Sequence, residues 1–431
     1  MSSAVGPSIA RRLLAACTVV ALAVLALVAT QPGAGAASRL PQLLSGHGVD
    51  LGCANPANHT ADRLLPAAHG QGITCFAKAV SANGLGPAVM KGPVGLGPSQ
   101  IQSAYKLAGR NAAGRTVAIV DAYDDPKAES DLAVYRSTYG LPACATANGC
   151  FRKVNQSGAA GPLPARDYGW AVEISLDLDA VSAACPSCHI LLVEANTPTD
   201  TNLMTAVDAA VSLGATAVSN SYGGAEDATE LTSDTHLNHP GVAITASSGD
   251  SGYGVSWPAA SQYVSAVGGT TLATAGNSRG WTETTWSGAG SGCSAFEPKP
   301  SWQHDSGCAR RTVADVSADA NPSSGLGVYD TLNACGTSSL CDTLIRLGLV
   351  QGLDGWAQVG GTSLSSPLVA SVYALAGNSV TYGSYPYAHT GALFDVTSGS
   401  NGSCGGSYLC TAGPGYDGPT GLGSPNGTGA F

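Results

Sequence analysis

The sequence predicts an α/β fold with a mostly parallel central sheet. Two observations carry that prediction: short, unbroken apolar runs, and helix-length segments between them. A strand covered on both faces reads as continuous Val, Ile and Leu, whereas a half-exposed strand alternates. Residues 116–120 (TVAIV) form such a run. Residues 189–194, 217–220 and 242–245 are similar, and 263–267 make a shorter fifth candidate. Val211-Ser212-Leu213-Gly214, just before the third run, fits a helix ending at a glycine cap. No internal repeat of about 20–50 residues interrupts this order.

The chain has 431 residues, enough for one large domain or two ordinary ones. Hydrophobic residues make up 44%, so a sizeable core can be buried. Charged residues reach only 11%, against about 25% in ordinary soluble domains. Little charge therefore builds up when carboxylates protonate, and the fold is expected to tolerate acid. A net charge of −10 argues against nucleic acid as a partner.

Residues 1–36 are expected to be an export signal. Arg11 and Arg12 supply the positive start, residues 13–28 the apolar stretch, and Ala34-Gly35-Ala36 the small-residue cleavage site. The apolar stretch ends at Gln31-Pro32-Gly33, short for a membrane span. The mature protein is therefore expected to be secreted, free of the membrane and monomeric. Leu14-Ala15-Ala16-Cys17 resembles a lipoprotein box, but the apolar run continues well past Cys17, and two arginines alone do not make a twin-arginine signal. Setting Cys17 aside leaves twelve cysteines in local couples: 53 with 75, 144 with 150, 185 with 188, 293 with 308, 335 with 341, and 404 with 410. In an exported chain six disulfides are the simplest reading, although sequence leaves the connectivity open. Cys185-Pro186-Ser187-Cys188 has no second CxxC, so a small structural loop is preferred to a redox or zinc site. Residues 37–95, rich in Gly, Pro and Ala, read as a short propeptide or N-terminal extension, and 96–431 as the main domain.

Three segments carry candidate chemistry. Gly360-Gly361-Thr362-Ser363-Leu364-Ser365-Ser366-Pro367 precedes an apolar helical stretch. Small residues let the chain turn tightly and present the Ser363 hydroxyl, and a helix amino end puts partial positive charge near a developing oxyanion. A serine nucleophile needs a base. None of the eight histidines lies in an H-G-T-H-type segment; His47 and His69 fall in the extension, His236 and His239 in a polar loop. A carboxylate can serve instead, and residues 170–177 (WAVEISLD) offer Glu173 and Asp177. Val172, Ile174, Leu176 and Leu178 alternate as in a strand, which would hold the two acids about 13 Å apart. In a helix they are i and i+4, about 6 Å apart on one face. The alanines before Cys185-Pro186 favour the helix. Ser248-Gly249-Asp250-Ser251-Gly252 follows an apolar run, placing Asp250 at the carboxyl end of a parallel strand, where α/β sheets put their sites. By itself that segment is equally good turn chemistry.

Taken together, a G-T-S-x-S-x-P serine, an E-x-x-x-D pair and an S-G-D-S-G turn, in the order Glu, Asp, Asp, Ser, resemble the sedolisin family of serine-carboxyl peptidases. The resemblance spans residues 96–431 and implies a subtilisin-like three-layer α/β fold. It implies Ser363 as nucleophile, Glu173 as general base and acid, Asp177 as the group orienting Glu173, and Asp250 as the oxyanion-hole acid. Asp121, at the end of the first strand, sits where subtilisins keep their triad aspartate, or is an ordinary strand-end residue. Phe394-Asp395-Val396-Thr397 and residues 412–417 resemble the family's calcium loop. Asp395 and Asp417, with backbone oxygens of Val396, Gly413 and Gly415, would give the oxygen shell that Ca2+ prefers. Ser219-Asn220-Ser221-Tyr222-Gly223-Gly224 resembles the substrate-strand segment, with tyrosine where tryptophan is common. The extension before residue 96 is shorter than the usual propeptide.

Glutamate ionises near 4.3 and accepts a proton from serine in acid, whereas Asp250 must be protonated to donate to an oxyanion. The expected activity is therefore acid endopeptidase action on proteins or peptides. A tripeptidyl aminopeptidase of the same family, and an inactive secreted binding protein on the same fold, are the alternatives.

Overall fold

The structure is a computed structural model that describes residues 48–51, 53, 73–81, 85–335 and 340–431. The export signal at 1–36, its lipoprotein variant at Cys17, and His47 and His69 lie outside the described residues.

Three short strands come first: β1 (Gly48–Asp50), β2 (Thr74–Cys75) and β3 (Lys78–Val80). Helix α1 (Pro98–Ala104) leads into β4 (Thr116–Ala122). There follow α2 (Ala128–Thr138), β5 (Phe151–Asn155), α3 (Tyr168–Ala184), β6 (His189–Ala195), α4 (Asp200–Ser212), β7 (Ala217–Asn220) and β8 (Tyr222–Ala225). The chain continues through β9 (Ala243–Ser247), β10 (Ser256–Trp257), β11 (Ser265–Thr274), β12 (Trp281–Thr285), β13 (Gly292–Cys293), β14 (Thr312–Val313), β15 (Val316–Asp319), β16 (Leu326–Asp330) and β17 (Gly355–Gly360). Helix α5 (Thr362–Ala376), β18 (Leu393–Phe394) and β19 (Ser424–Pro425) complete the order.

The central sheet runs β12-β11-β9-β7-β4-β6-β5, with β15 also on β11. Every pairing in it is parallel except β11 with β12. The five apolar runs fall in β4, β6, β7, β9 and β11, and Val117, Ile119, Val120, Leu192 and Val193 are buried. α4 ends at Ser212, with Gly214 in the left-handed region at φ +88°. α3 and α5 pack against each other on one face of the sheet, while α4 covers the other.

α3 resolves the ambiguity of residues 172–178. It is a helix buried almost all round, so both its apolar and its polar residues face protein and no single apolar stripe is needed. Asp167 starts it: its Oδ1 accepts from the Gly169 and Trp170 amides at 3.0 and 2.9 Å. Several of the polar residues inside it find partners, as burial favours. Asp179 Oδ2 accepts from the Tyr329 amide at 3.0 Å, and Ser182 Oγ from Arg136 at 2.9 Å.

All six local cysteine couples are bridged as paired above. The Cys53–Cys75 bridge ties the end of β2 to the segment behind β1.

Candidate active site

The site lies beyond the carboxyl ends of β4, β7 and β9, where α3 and α5 converge. α5 begins at Thr362 after Gly361, whose φ of +100° is strained for any residue with a Cβ. Ser363 therefore sits in the first turn of a buried helix. Its Oγ donates to the Ser221 carbonyl at 3.2 Å and accepts from the Phe76 amide at 3.2 Å.

Glu173, in the second turn of α3, faces the same point. Its Oε2 accepts from the Ala77 amide at 2.8 Å, and the Ser363 hydroxyl also stabilises its charged form. Asp177 lies one turn further along, and both its oxygens accept from Ser221 Oγ, at 2.9 and 2.8 Å. Asp121, at the end of β4, is fully buried with neither carboxylate oxygen hydrogen-bonded among the described residues. These carboxyls form one electrostatic unit. Burial pushes Asp121 up to about 8. Burial first, then the field of Asp121, holds Glu173 and Asp177 well above the ordinary carboxylate range; Ser363 and the Ala77 amide pull Glu173 back. Like charges in a dry pocket cannot all persist, so the unit retains protons where exposed acids have lost theirs.

Asp250 reaches the site from the turn after β9. Its Oδ1 accepts from the Thr362 amide and Oγ1, both at 2.8 Å, while its buried Oδ2 has no hydrogen-bond partner among the described residues. Burial raises it to about 7, with the Thr362 amide and Lys78 opposing. In acid Oδ2 carries the proton and is a donor aimed into the site.

Ser363, Glu173, Asp177 and Asp250 thus meet around one point. Among the described residues no histidine bonds to Ser363; His236 and His239 both pair with Asp208 at the surface, at 2.6 and 3.1 Å. The sequence did not single out Ser221 as the partner of Asp177, or the segment around Phe76 and Ala77. Ser221 lies in the quoted substrate-strand motif, but nothing in residues 73–80 marks them as neighbours of a serine almost three hundred positions later. The Cys53 and Cys75 sulfurs lie within 4.8 Å of a Glu173 oxygen, but their bridge leaves no thiolate to bind a metal.

The predicted calcium residues also come together. Asp417 is buried; its Oδ1 accepts from the Thr420 amide and Oγ1 at 3.0 and 2.8 Å, and its Oδ2 from the Gly413 amide at 3.1 Å. Asp395 Oδ2 accepts from the Gly415 amide at 2.9 Å, and the Val396 carbonyl lies 3.5 Å from Thr420 Oγ1. Burial first, with Asp395 adding its charge, raises Asp417 to about 7. Two neighbouring carboxylates beside the Val396 carbonyl would suit a hard divalent cation, although here Gly413 and Gly415 meet the carboxylates through their amides.

Comparison with known proteins adds to this geometry. Residues 169–387 match the Subtilase family, about half of the chain. Kumamolisin of Bacillus sp. (strain MN-32) is 32% identical over 374 residues, 78% of this chain and 63% of that protein. Sedolisin of Pseudomonas sp. (strain 101) is 35% identical over 220 residues, 43% of this chain and 33% of that protein. The chain thus spans less than two thirds of the length of these curated relatives. The solved structure of Pseudomonas sedolisin, a serine-carboxyl proteinase complexed with two molecules of pseudo-iodotyrostatin, superposes with a TM-score of 0.61 at 28% identity. That match covers 78% of this chain and 96% of the other.

Proposed function

Because this chain belongs to the sedolisin family, within the subtilases, we propose that it is a secreted serine-carboxyl endopeptidase cutting proteins and peptides in acid. The observation that carries the reading is the convergence of a helix-start serine hydroxyl, a buried glutamate and a protonatable aspartate on one point. In this reading the protons that the carboxyl unit retains rest on Asp121 and Asp177, which leaves Glu173 as the carboxylate, and Ser363 Oγ attacks the carbonyl carbon of the substrate bond while Glu173 takes its proton. Asp177, one turn along the same helix and fixed by two contacts to Ser221, is the second carboxyl of the unit and the group that orients Glu173 in this reading. The oxyanion that forms meets the Asp250 Oδ2 proton. Glu173 then returns the proton to the departing amine, and water, deprotonated by Glu173, hydrolyses the acyl-enzyme. Ca2+ held by Asp395, Asp417 and the carbonyls of Val396, Gly413 and Gly415 would neutralise the C-terminal loop without taking part in these steps.

The test is digestion of casein at pH 3–5. Wild type should cleave it, and Ser363→Ala should lower kcat by at least about 10⁴-fold, as loss of a covalent nucleophile does. Equal digestion by Ser363→Ala, or none by wild type, overturns the reading.

A further inference from the structure

β8 carries Tyr222, Gly223 and Gly224, the last part of the segment that resembles the family's substrate strand. The Ser221 carbonyl, one residue before it, accepts from Ser363 Oγ, so the strand starts at the nucleophile and runs away from it. β8 pairs antiparallel with β10, Gly224 opposite Trp257 and Ala225 opposite Ser256. Both strands are moored at their outer ends by acids. Glu226 directly follows β8; its Oε1 accepts from Ser294 Oγ and its Oε2 from the Ala295 amide at 3.1 Å. Ser294 Oγ in turn accepts from the Glu297 amide at 2.8 Å, which closes the loop after β13. In β10 the Trp257 indole donates to Asp234 Oδ1 at 3.2 Å.

Behind these moorings stand Glu230, Asp234 and Glu297, only 2%, 3% and 0% exposed. Glu230 Oε2 accepts from the Asp227 amide at 3.1 Å. Glu230 Oε1, Asp234 Oδ2 and both oxygens of Glu297 are buried without a close donor among the described residues. Each meets another carboxyl instead, Glu230 meeting Glu226 and Glu297 meeting Asp234. Two carboxylates so placed repel, whereas one proton between them makes a hydrogen bond. Burial first, then Glu226, raises Glu230 to about 8; burial first, then Asp234, raises Glu297 to about 9. Among the other charged groups nearby, Arg311 favours an ionised Asp234, Asp227 lies at the surface, Arg310 is turned to the Phe296 carbonyl and His236 to Asp208. Among the described residues no third carboxylate, histidine or cysteine converges on either pair within 4.8 Å, so a proton suits these sites better than a metal ion.

We propose that Glu230 and Glu297 are positioning residues for substrate: each, while protonated, bonds to its neighbouring carboxyl and so fixes β8 and β10 as the bed on which a peptide lies, and their ionisation loosens that bed. The inference rests on the peptidase reading above. Glu230 holds Glu226 against Ser294, and Glu297 holds Asp234 against Trp257. Once the shared protons leave, two negative charges face each other in each pair, Glu226 is pushed from Ser294 and Asp234 from the indole. None of the four acids touches Ser363, Glu173, Asp177 or Asp250. The effect therefore falls on peptide binding and leaves the chemical step alone.

The experiment measures KM and kcat separately for a fluorogenic peptide from pH 5 to pH 9, in wild type, Glu230→Gln, Glu297→Gln and the double variant. Where kcat is slow, KM approaches the dissociation constant of the peptide. Wild-type KM should stay level to about pH 7 and rise at least about threefold by pH 9, as the shared protons are lost. Glutamine keeps a donor at every pH, so the variants should match wild type in acid, each single variant should show a smaller rise, and the double variant should show none. The kcat profiles of all four proteins should coincide. If a variant fails to fold, the wild-type profile and the remaining variant decide. A wild-type KM that stays level to pH 9, variants whose KM rises as steeply as that of wild type, or a change confined to kcat overturns this inference alone. A preparation that cleaves no peptide at any pH removes the peptidase reading with it.

Discussion

Asp250 is the residue whose protonation state the proposed chemistry leans on most. Its Oδ1 is committed to Thr362, so only Oδ2 can face an oxyanion, and only as a donor. Because burial holds Asp250 near 7, the donor is present in acid and lost as pH rises through that value. Asp250→Ala should cost about 10²–10³-fold in kcat, the usual price of an oxyanion donor. Asp250→Asn keeps a donor at every pH, so its rate should fall less between pH 6 and 8 than that of wild type. Parallel profiles for the asparagine variant and wild type would move the alkaline loss to another group. The four residues that meet here were legible in sequence because each sits in a short motif of small or acidic residues. Ser221, Phe76 and Ala77 were not, since one acts through a hydroxyl in an ordinary strand and two through backbone amides, which no side-chain pattern encodes.

At the scale of elements, α3 and α5 set the geometry: one brings a carboxylate, the other a hydroxyl, and each is fixed at its amino end. Asp167 caps α3 through two amides, nearly three turns before Asp177. Asp167→Ala should cost about 1 kcal/mol in denaturant unfolding, as loss of an N-cap does. The buried interior of α3 should keep Glu173 in register, so kcat should change less than twofold; a large loss of kcat at unchanged stability would mean that the cap positions the site. The strands of the central sheet could be read in advance because burial on both faces writes itself as unbroken apolar runs. α3 could not be read with the same ease, because burial on all sides erases the 3.6-residue stripe and leaves an alternation that also suits a strand. The small sheet β1-β3-β17-β16 was invisible in sequence: its strands are short, and β3 joins one nearly three hundred residues away.

The molecule as a whole is built with carboxyls that folding holds in their neutral form. Asp121, Glu230 and Asp250 are raised to about 8, 8 and 7, and Glu194 and Glu297 to about 9, in each case by burial first. A raised carboxyl binds its proton more tightly folded than unfolded. Below the unfolded value near 4 both states are protonated and nothing is lost. Between 4 and the folded value the unfolded chain releases the proton first, so stability falls as pH rises. The melting temperature at pH 4 should exceed that at pH 7.5 by at least about 5 °C, and the reverse order would mean that these groups ionise in the folded state. Sparse charge in the sequence predicts acid tolerance; the loss of stability toward neutrality depends on which acids are buried, which composition does not reveal.

The most direct test of a serine activated by buried carboxyls is the pH dependence of kcat/KM for a chromogenic peptide that the wild type cleaves, measured for wild type and Glu173→Gln. The rate for wild type should be highest in acid and fall away as pH passes about 7, with Glu173→Gln at least about 10³-fold slower throughout. An optimum near pH 8, or a Glu173→Gln variant as fast as wild type, would contradict it.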